Sequence, residues 1–384
     1  MKIRFFIFLI ISLFLTDLYS QTSQAIEFIP HYGKVFQMND FLKGNRTGKP
    51  IDRVKTLSIR YIIHTDGSKD WHQLYNYLDY GVGFNFSTYN EPVHLGNSYS
   101  LYAFIYSPII KWKKFTLKND LAIGLSYVEK HWSVHNIENN VIGSSLNCYI
   151  QEGFVLEYLA SNRFLIGLGF NFSHISNGSM KKPNSGINTF SSQINLRYNF
   201  YDNEVRYNHE KPEFDKGYDI LLSSFGAIYN DRVELYYQDF HDPERYPERY
   251  FYAFGLNTTA YKNLNYKNNL GLGLTLGYDD LADNHFMNVN GILVSTTAPF
   301  FNRLNLSAFA SYEYKINRFS AFAELGHYLI RKTTPLSNPN FFQRVGVRYL
   351  VYDNLLASVA IRATSFKKAN YIEWGLGYRF KLVK

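Results

Sequence analysis

A single cysteine, Cys148, stands in the whole chain, so no internal disulfide can form. After the first twenty residues no long apolar run recurs and no convincing long helix can be drawn, which excludes a helical membrane span from the mature chain. Metal-ligand spacing is also missing: His131 and His135 sit in polar stretches without acidic or Cys partners at the right distances. There is no phosphate-binding glycine loop, no nucleic-acid patch and no low-complexity tract, and Gly271-Leu272-Gly273 lies in an alternating segment where Gly relieves crowding. What the chain does have is aromatic residues, 18% of the total, and a net charge of +8 that would suit phosphate groups on a membrane surface.

The first twenty residues do not belong to the fold. Lys2 and Arg4 precede an apolar run from Phe5 to Leu15 that is too short to span a bilayer, and Leu18-Tyr19-Ser20 before Gln21 reads as a cleavage site. The expectation is a signal peptide over 1–20 and an exported chain. From there the sequence reads as strand after strand, with candidates at 25–37, 54–65, 75–89, 98–108, 115–128, 144–160, 163–176 and 188–200. A second set lies at 218–230, 248–261, 266–279, 301–316, 318–331, 341–352, 355–366 and 370–382. Many alternate strictly. In the last, Ile372, Trp374, Leu376, Tyr378, Phe380 and Leu382 oppose Tyr371, Glu373, Gly375, Gly377, Arg379 and Lys381. A soluble sandwich also separates a greasy face from a polar one, so one strand does not decide. About sixteen strands, aromatic at their ends, behind a signal peptide and reaching the extreme C-terminus match an all-β, transmembrane antiparallel outer-membrane β-barrel. The connection at Asp66-Gly67-Ser68 and that at Ser161-Asn162 read as short turns, while 38–53 and 232–247 read as longer loops. The tryptophan and tyrosine residues from Trp71 to Tyr77 read as an interface girdle, and the loop Glu244 to Arg249 as solvated charge. The polar stretch from Asp202 to Lys216 is the best candidate boundary.

One stretch carries chemistry. Phe164, Ile166, Leu168, Phe170 and Phe172 share a greasy face that His174 and Ser176 continue, and Asn188, Phe190, Ile194 and Leu196 share the corresponding face after the turn. A hairpin around Pro183-Asn184-Ser185-Gly186 would set His174 opposite Asn188, with Ser176 one same-face step away. A nucleophile, a base and an orienting group would then lie on one apolar surface. A serine hydroxyl needs a base within hydrogen-bond reach, and the base needs a third group to fix its tautomer. Glu152 is a rival third group. It interrupts the apolar face of the preceding strand, where a hairpin closing at Ser161-Asn162 would put it opposite Phe170, two same-face steps from His174.

The pattern His174-Ile175-Ser176-Asn177 followed by Pro183-Asn184-Ser185-Gly186-Ile187 resembles the motif of the outer-membrane lipid A 3-O-deacylases, the acyloxyacyl hydrolase family. In that family an eight-stranded barrel carries a His, a Ser two residues later and a Glu fourteen residues after the His. The resemblance implies that His174 is the general base, Ser176 the nucleophile and Asn177 an oxyanion-hole contributor, with Asn184 and Gly186 in the turn that follows. The third catalytic position is Asn188 where the family has Glu, and Ser179 stands where a Gly is expected. The substrate implied is lipid A of lipopolysaccharide in the outer leaflet, cut by a serine esterase mechanism that needs no cofactor.

Chain length is in tension with the resemblance, which covers residues 25–200 in architecture. The expectation is a deacylase-like segment over 21–200 and a segment over 201–384 that completes or extends one barrel of about 14–16 strands. The alternative is an eight-stranded barrel plus a second β domain. A wide barrel would hold a water-filled lumen, and the competing function is a porin-like or structural barrel with a decayed deacylase site. Inward Arg197, Arg344, Arg348, Arg362 and Arg379 would then select anions.

Overall fold

The computed structural model describes residues 23–201, 214, 216–230, 250–289, 292–332, 339–366 and 368–382. The expected signal peptide, most of the boundary stretch 202–216, the loop 232–247 and the charged segment Glu244 to Arg249 lie outside the described residues. Eight strands make a first closed antiparallel barrel: β1 (Gln24–Val35), β2 (Arg53–His64), β3 (Asp79–Thr88), β4 (Asn97–Trp112), β5 (Phe115–Val128), β6 (Leu146–Leu159), β7 (Phe164–Ser176) and β8 (Ile187–Asn199). A second set follows with β9 (Tyr218–Asn230), β10 (Tyr250–Asn263) and β11 (Asn268–Asp279), a small hairpin of β12 (His285–Val289) and β13 (Ile292–Thr296), then β14 (Leu304–Ile316) and β15 (Phe319–Ile330). It ends with β16 (Phe341–Tyr352), β17 (Leu355–Thr364) and β18 (Lys368–Leu382). Without the small hairpin, these strands close a second barrel by pairing β18 with β9.

Of the two architectures the sequence allows, the eight-stranded barrel plus a second β domain is the one found, the second domain being an eight-stranded barrel itself, and the single barrel of about 14–16 strands does not form. β8 returns to β1, from Ala25↔Asn199 to Val35↔Thr189, and leaves no edge for β9 to extend. Among the described residues every stretch expected to form a strand contains one, with ends displaced by a few residues. Among the described residues the helices are short, Asp70–Leu74 and a 3-10 turn at Phe300–Arg303, and none is long and apolar enough to cross a membrane.

Alternation dictates which face is which. On β7 and β8 the outward residues Phe164, Leu168, Phe170, Phe190 and Leu196 are exposed, while Asn171, Gln193, Asn195 and Arg197 are buried inside. An apolar wall around a charged interior inverts the soluble pattern, and so extensive an exposed apolar belt suits lipid rather than water. The interiors are packed with ion pairs. In the first barrel Arg60 meets Asp120 at 2.9 Å, Arg197 meets Glu27 at 2.9 Å and Glu157 at 2.5 Å, and Lys118 meets Asp79 at 2.6 Å. In the second, Arg344 bridges Glu324 and Glu373, Arg362 reaches Glu373 at 2.7 Å, Arg348 reaches Glu313 at 3.2 Å and Arg379 reaches Glu313 at 2.7 Å. The water-filled lumen that a wide barrel would have held falls with that barrel. An eight-stranded barrel is just wide enough for its side chains, and the arginines proposed to select anions are held by carboxylates of the same chain.

The ends of the first barrel differ. Connections 113–114 and 160–163 are tight, whereas 36–52, 89–96, 129–145 and 177–186 at the opposite end are longer. The turn expected at Asp66-Gly67-Ser68 is in fact the connection 65–78, which holds the Asp70–Leu74 helix and delays β3 to Asp79. Within it Tyr75 does not serve as an interface girdle residue. It is buried, packs edge-on against Tyr314 of the second barrel with ring centroids 6.0 Å apart, and donates its hydroxyl to the Lys315 carbonyl.

Candidate active site

β7 and β8 pair directly, with His174 opposite Asn188, so their side chains rise from neighbouring positions on the outward face. Ser176 follows on the same face where β7 ends. The three form one hydrogen-bonded row: His174 Nε2 lies 2.7 Å from Ser176 Oγ, and His174 Nδ1 lies 2.6 Å from Asn188 Oδ1. With an amide oxygen facing Nδ1, that nitrogen carries the hydrogen and donates it to Asn188, which leaves the Nε2 lone pair to accept the serine proton. This is the tautomer that general-base catalysis requires. Ser176 is buried and His174 and Asn188 are half-buried, on a wall otherwise built of Phe172, Phe190 and Ile194.

Gly186 makes room for the row. Its φ of +75° is a left-handed backbone, and a Cβ there would stand 2.6 Å from His174 Cε1 and 3.3 Å from Ser176 Cβ. Asn184 and Asn177 order the connection between the strands. The Asn177 N–H donates to Asn184 Oδ1 at 3.0 Å, and Asn177 Nδ2 donates to Ser144 Oγ at 2.9 Å and to the Lys181 carbonyl at 2.6 Å. The donors of Asn177 are thus engaged in shaping the turn. Gly178 and Ser179 come next, both left-handed with φ of +59° and +68°.

Glu152 is not part of this group. The hairpin register sets it opposite Phe172 rather than Phe170, because the connection spans 160–163 and shifts the pairing by two. That brings it one step closer to His174, yet its carboxylate accepts from Asn119 on β5, the side of β6 away from β7. Among the described residues no cluster of His, Cys, Asp or Glu could hold a metal ion. Sequence reasoning missed Ser144, and it missed Asn230, Ala369 and Ile372 of the second barrel, which all touch the turn after Ser176. The one signal for the last three was Ser179 itself, the residue that departs from the family pattern.

Apolar walls outside and ion pairs inside place the barrels with outer-membrane proteins, and a base and a hydroxyl on such a wall have the form of a hydrolase site. Residues 55–199 match the family described as lipid A 3-O-deacylase (PagL), and residues 218–382 match the one described as acyloxyacyl hydrolase, C-terminal domain. The two halves of the chain thus resemble the lipid A 3-O-deacylases and the C-terminal domain of the acyloxyacyl hydrolases, a family of acyl-hydrolysing outer-membrane proteins. No curated protein matches it. Among solved structures, the outer-membrane enzyme PagL is 16% identical, covering 44% of this chain and 97% of its own with a TM-score of 0.31. Neisserial surface protein A is 9% identical over 46% of this chain and 97% of its own, at 0.32, and a Rhodopseudomonas blastica porin is 9% identical over 94% of this chain and 100% of its own, at 0.17.

Proposed function

We propose that the protein is an outer-membrane serine esterase that removes an ester-linked acyl chain from lipid A, with Ser176 as nucleophile, His174 as general base and Asn188 as the group that orients His174. The observation that carries this reading is the unbroken row Ser176–His174–Asn188, 2.7 Å and 2.6 Å long, on the lipid-facing wall of a barrel. Lipid A would reach the site by lateral diffusion in the outer leaflet, and export by a signal peptide removed near Ser20-Gln21 belongs to the same proposal.

Ser176 Oγ attacks the ester carbonyl carbon while its proton passes to His174 Nε2. The tetrahedral oxyanion is held by the backbone N–H groups of Gly178 and Ser179, in the turn that begins next to the nucleophile, since the donors of Asn177 are already taken within that turn. Collapse breaks the bond between the carbonyl carbon and the sugar oxygen, and that oxygen leaves with the proton from His174. A water then gives a proton to His174 and adds to the acyl-enzyme; the second collapse releases the fatty acid and returns the proton to Ser176. Asn188 keeps the imidazole in the productive tautomer but offers no charge to the imidazolium, so the triad works below the rate that a carboxylate would give. Asn188 is also the one observation favouring a decayed site. The channel half of that second reading has no support, since the lumen arginines are paired.

Mass analysis of lipid A incubated with refolded native protein, Ser176→Ala and Asn188→Glu tests the proposal. Loss of one acyl chain with native protein and not with Ser176→Ala is the expected result. Intact lipid A with native protein and cleavage by Asn188→Glu would make the site a decayed one, and intact lipid A throughout would sink the substrate assignment.

A further inference from the structure

We infer that the second barrel is a working part of the hydrolase site: Asn230, Ala369 and Ile372 hold the turn after Ser176 in the conformation that presents its backbone N–H groups to the oxyanion. The inference rests on the esterase reading above and assigns the C-terminal half of the chain a role in that reaction, as positioning residues that act through the turn.

Four contacts from three residues of the second barrel converge on the six residues from Asn177 to Lys182. Asn230, the last residue of β9, is fully buried and braces the turn twice: its N–H donates to the Ser179 carbonyl at 3.0 Å, and its Oδ1 accepts from the Lys182 N–H at 3.2 Å. Ser179 Oγ donates to the Ala369 carbonyl at 2.7 Å. Ile372 supplies the apolar contact. It has the outward parity of Trp374 and Leu376, which are 57% and 59% exposed, yet it is 2% exposed itself. Its side chain rests over Gly178, where an added Cβ would stand 2.4 Å from Ile372 Cγ1.

The sequence on both sides fits this contact. A serine with φ of +68° carries a conformational cost that glycine would not, and such strain persists where the surroundings over-determine it. Here the hydroxyl finds its acceptor on the other barrel, which explains why Ser stands where the family pattern has Gly. Gly178 is excluded from being anything larger both by its φ of +59° and by Ile372. A joint that merely held two barrels together would not need the turn beside the nucleophile. The chain has another joint at the opposite end, where Tyr75 meets Tyr314 and Lys315.

The test uses the full chain in lipid A-containing vesicles, with kcat and KM for deacylation and, separately, the rate at which a fluorophosphonate labels Ser176. That probe needs the oxyanion donors but no lipid A; Ser176→Ala is the blank. Asn230→Ala, Ser179→Ala and Ile372→Ala are expected to lower kcat about 10- to 100-fold with KM within about twofold, the cost of a slightly misplaced site, and to slow labelling in parallel. Asn230→Asp, which keeps an acceptor for the Lys182 N–H, should recover most of the loss. Tyr75→Phe, which removes the hydroxyl's bond to the Lys315 carbonyl at the remote joint, should leave both rates unchanged. Native rates in all three alanine variants, an equal fall in Tyr75→Phe, or a rise in any of them would overturn the inference. Native protein that labels but leaves lipid A intact would refute the substrate, and the labelling rates alone would then decide the positioning role. Native protein that does not label at all would overturn both.

Discussion

Asn188→Asp replaces an amide by a carboxylate of the same size at the atom that already accepts from His174 Nδ1 at 2.6 Å. In the transition state the ring becomes an imidazolium, and the new charge would lie about 4 Å from its centre. At an effective dielectric constant of about 20 that attraction is about 4 kcal/mol, or roughly 10³ in rate. Both groups are half-buried, so screening by water lowers the gain, and the expected rise in kcat lies between about 10-fold and 10³-fold. The converse exchange in the serine-protease triad costs about 10⁴, which bounds the effect from above. A carboxylate also cannot turn a donor toward the ring as an amide can, so the productive tautomer is fixed. Asn188→Glu, the residue the family pattern has, should act in the same direction. The assay is single-turnover release of the acyl chain followed by mass spectrometry. If Asn188→Asp and Asn188→Glu are no faster than native while Asn188→Ala matches it, residue 188 does not govern the imidazolium and the triad reasoning fails.

Ser176→Ala should reduce acyl release by at least about 10⁴, measured by the same assay, since nucleophile and base act as a unit. Gly186→Ala should lower kcat by about 10² without loss of the folded barrel, because its Cβ would push against His174 Cε1; a native rate would show that the ring can shift at no cost. Glu313→Ala removes the carboxylate that Arg348 and Arg379 share but leaves Arg348 paired with Glu324 and Arg379 with Asp219, so the loss should stay below the about 3–5 kcal/mol of a fully orphaned buried charge, which urea unfolding in detergent will read. In planar bilayers the native protein should give no anion-selective conductance steps, whereas such steps would contradict the side-chain-filled interiors.

Much of the site was legible because it depends on local order. The parity from Phe164 to Ser176, continued from Asn188 to Leu196, is enough to place His174 opposite Asn188, and both the register and the side-chain distances agree. Closure was not legible in the same way. Alternation says which face of a strand meets lipid but not which distant strand it pairs with, so nothing in Leu376 reveals that its partner is Ser224, or in Tyr32 that its partner is Ser192. Glu152 was misplaced for a smaller reason: two more residues in the connection moved the pairing by one same-face step. Ser179 was recognised as unusual, but its acceptor at Ala369 lies 190 residues away, beyond any local pattern.

The filled bores have a consequence for kinetics. Because each cylinder is packed with its own charges, the protein offers a lipid no interior path, and its substrate can be met only along its perimeter. Encounters then take place in two dimensions. Turnover would follow the mole fraction of lipid A in the leaflet rather than its bulk concentration, so inert lipid would dilute the reaction while added water would not. The copy number of such a protein can rise without opening a leak in the barrier it modifies.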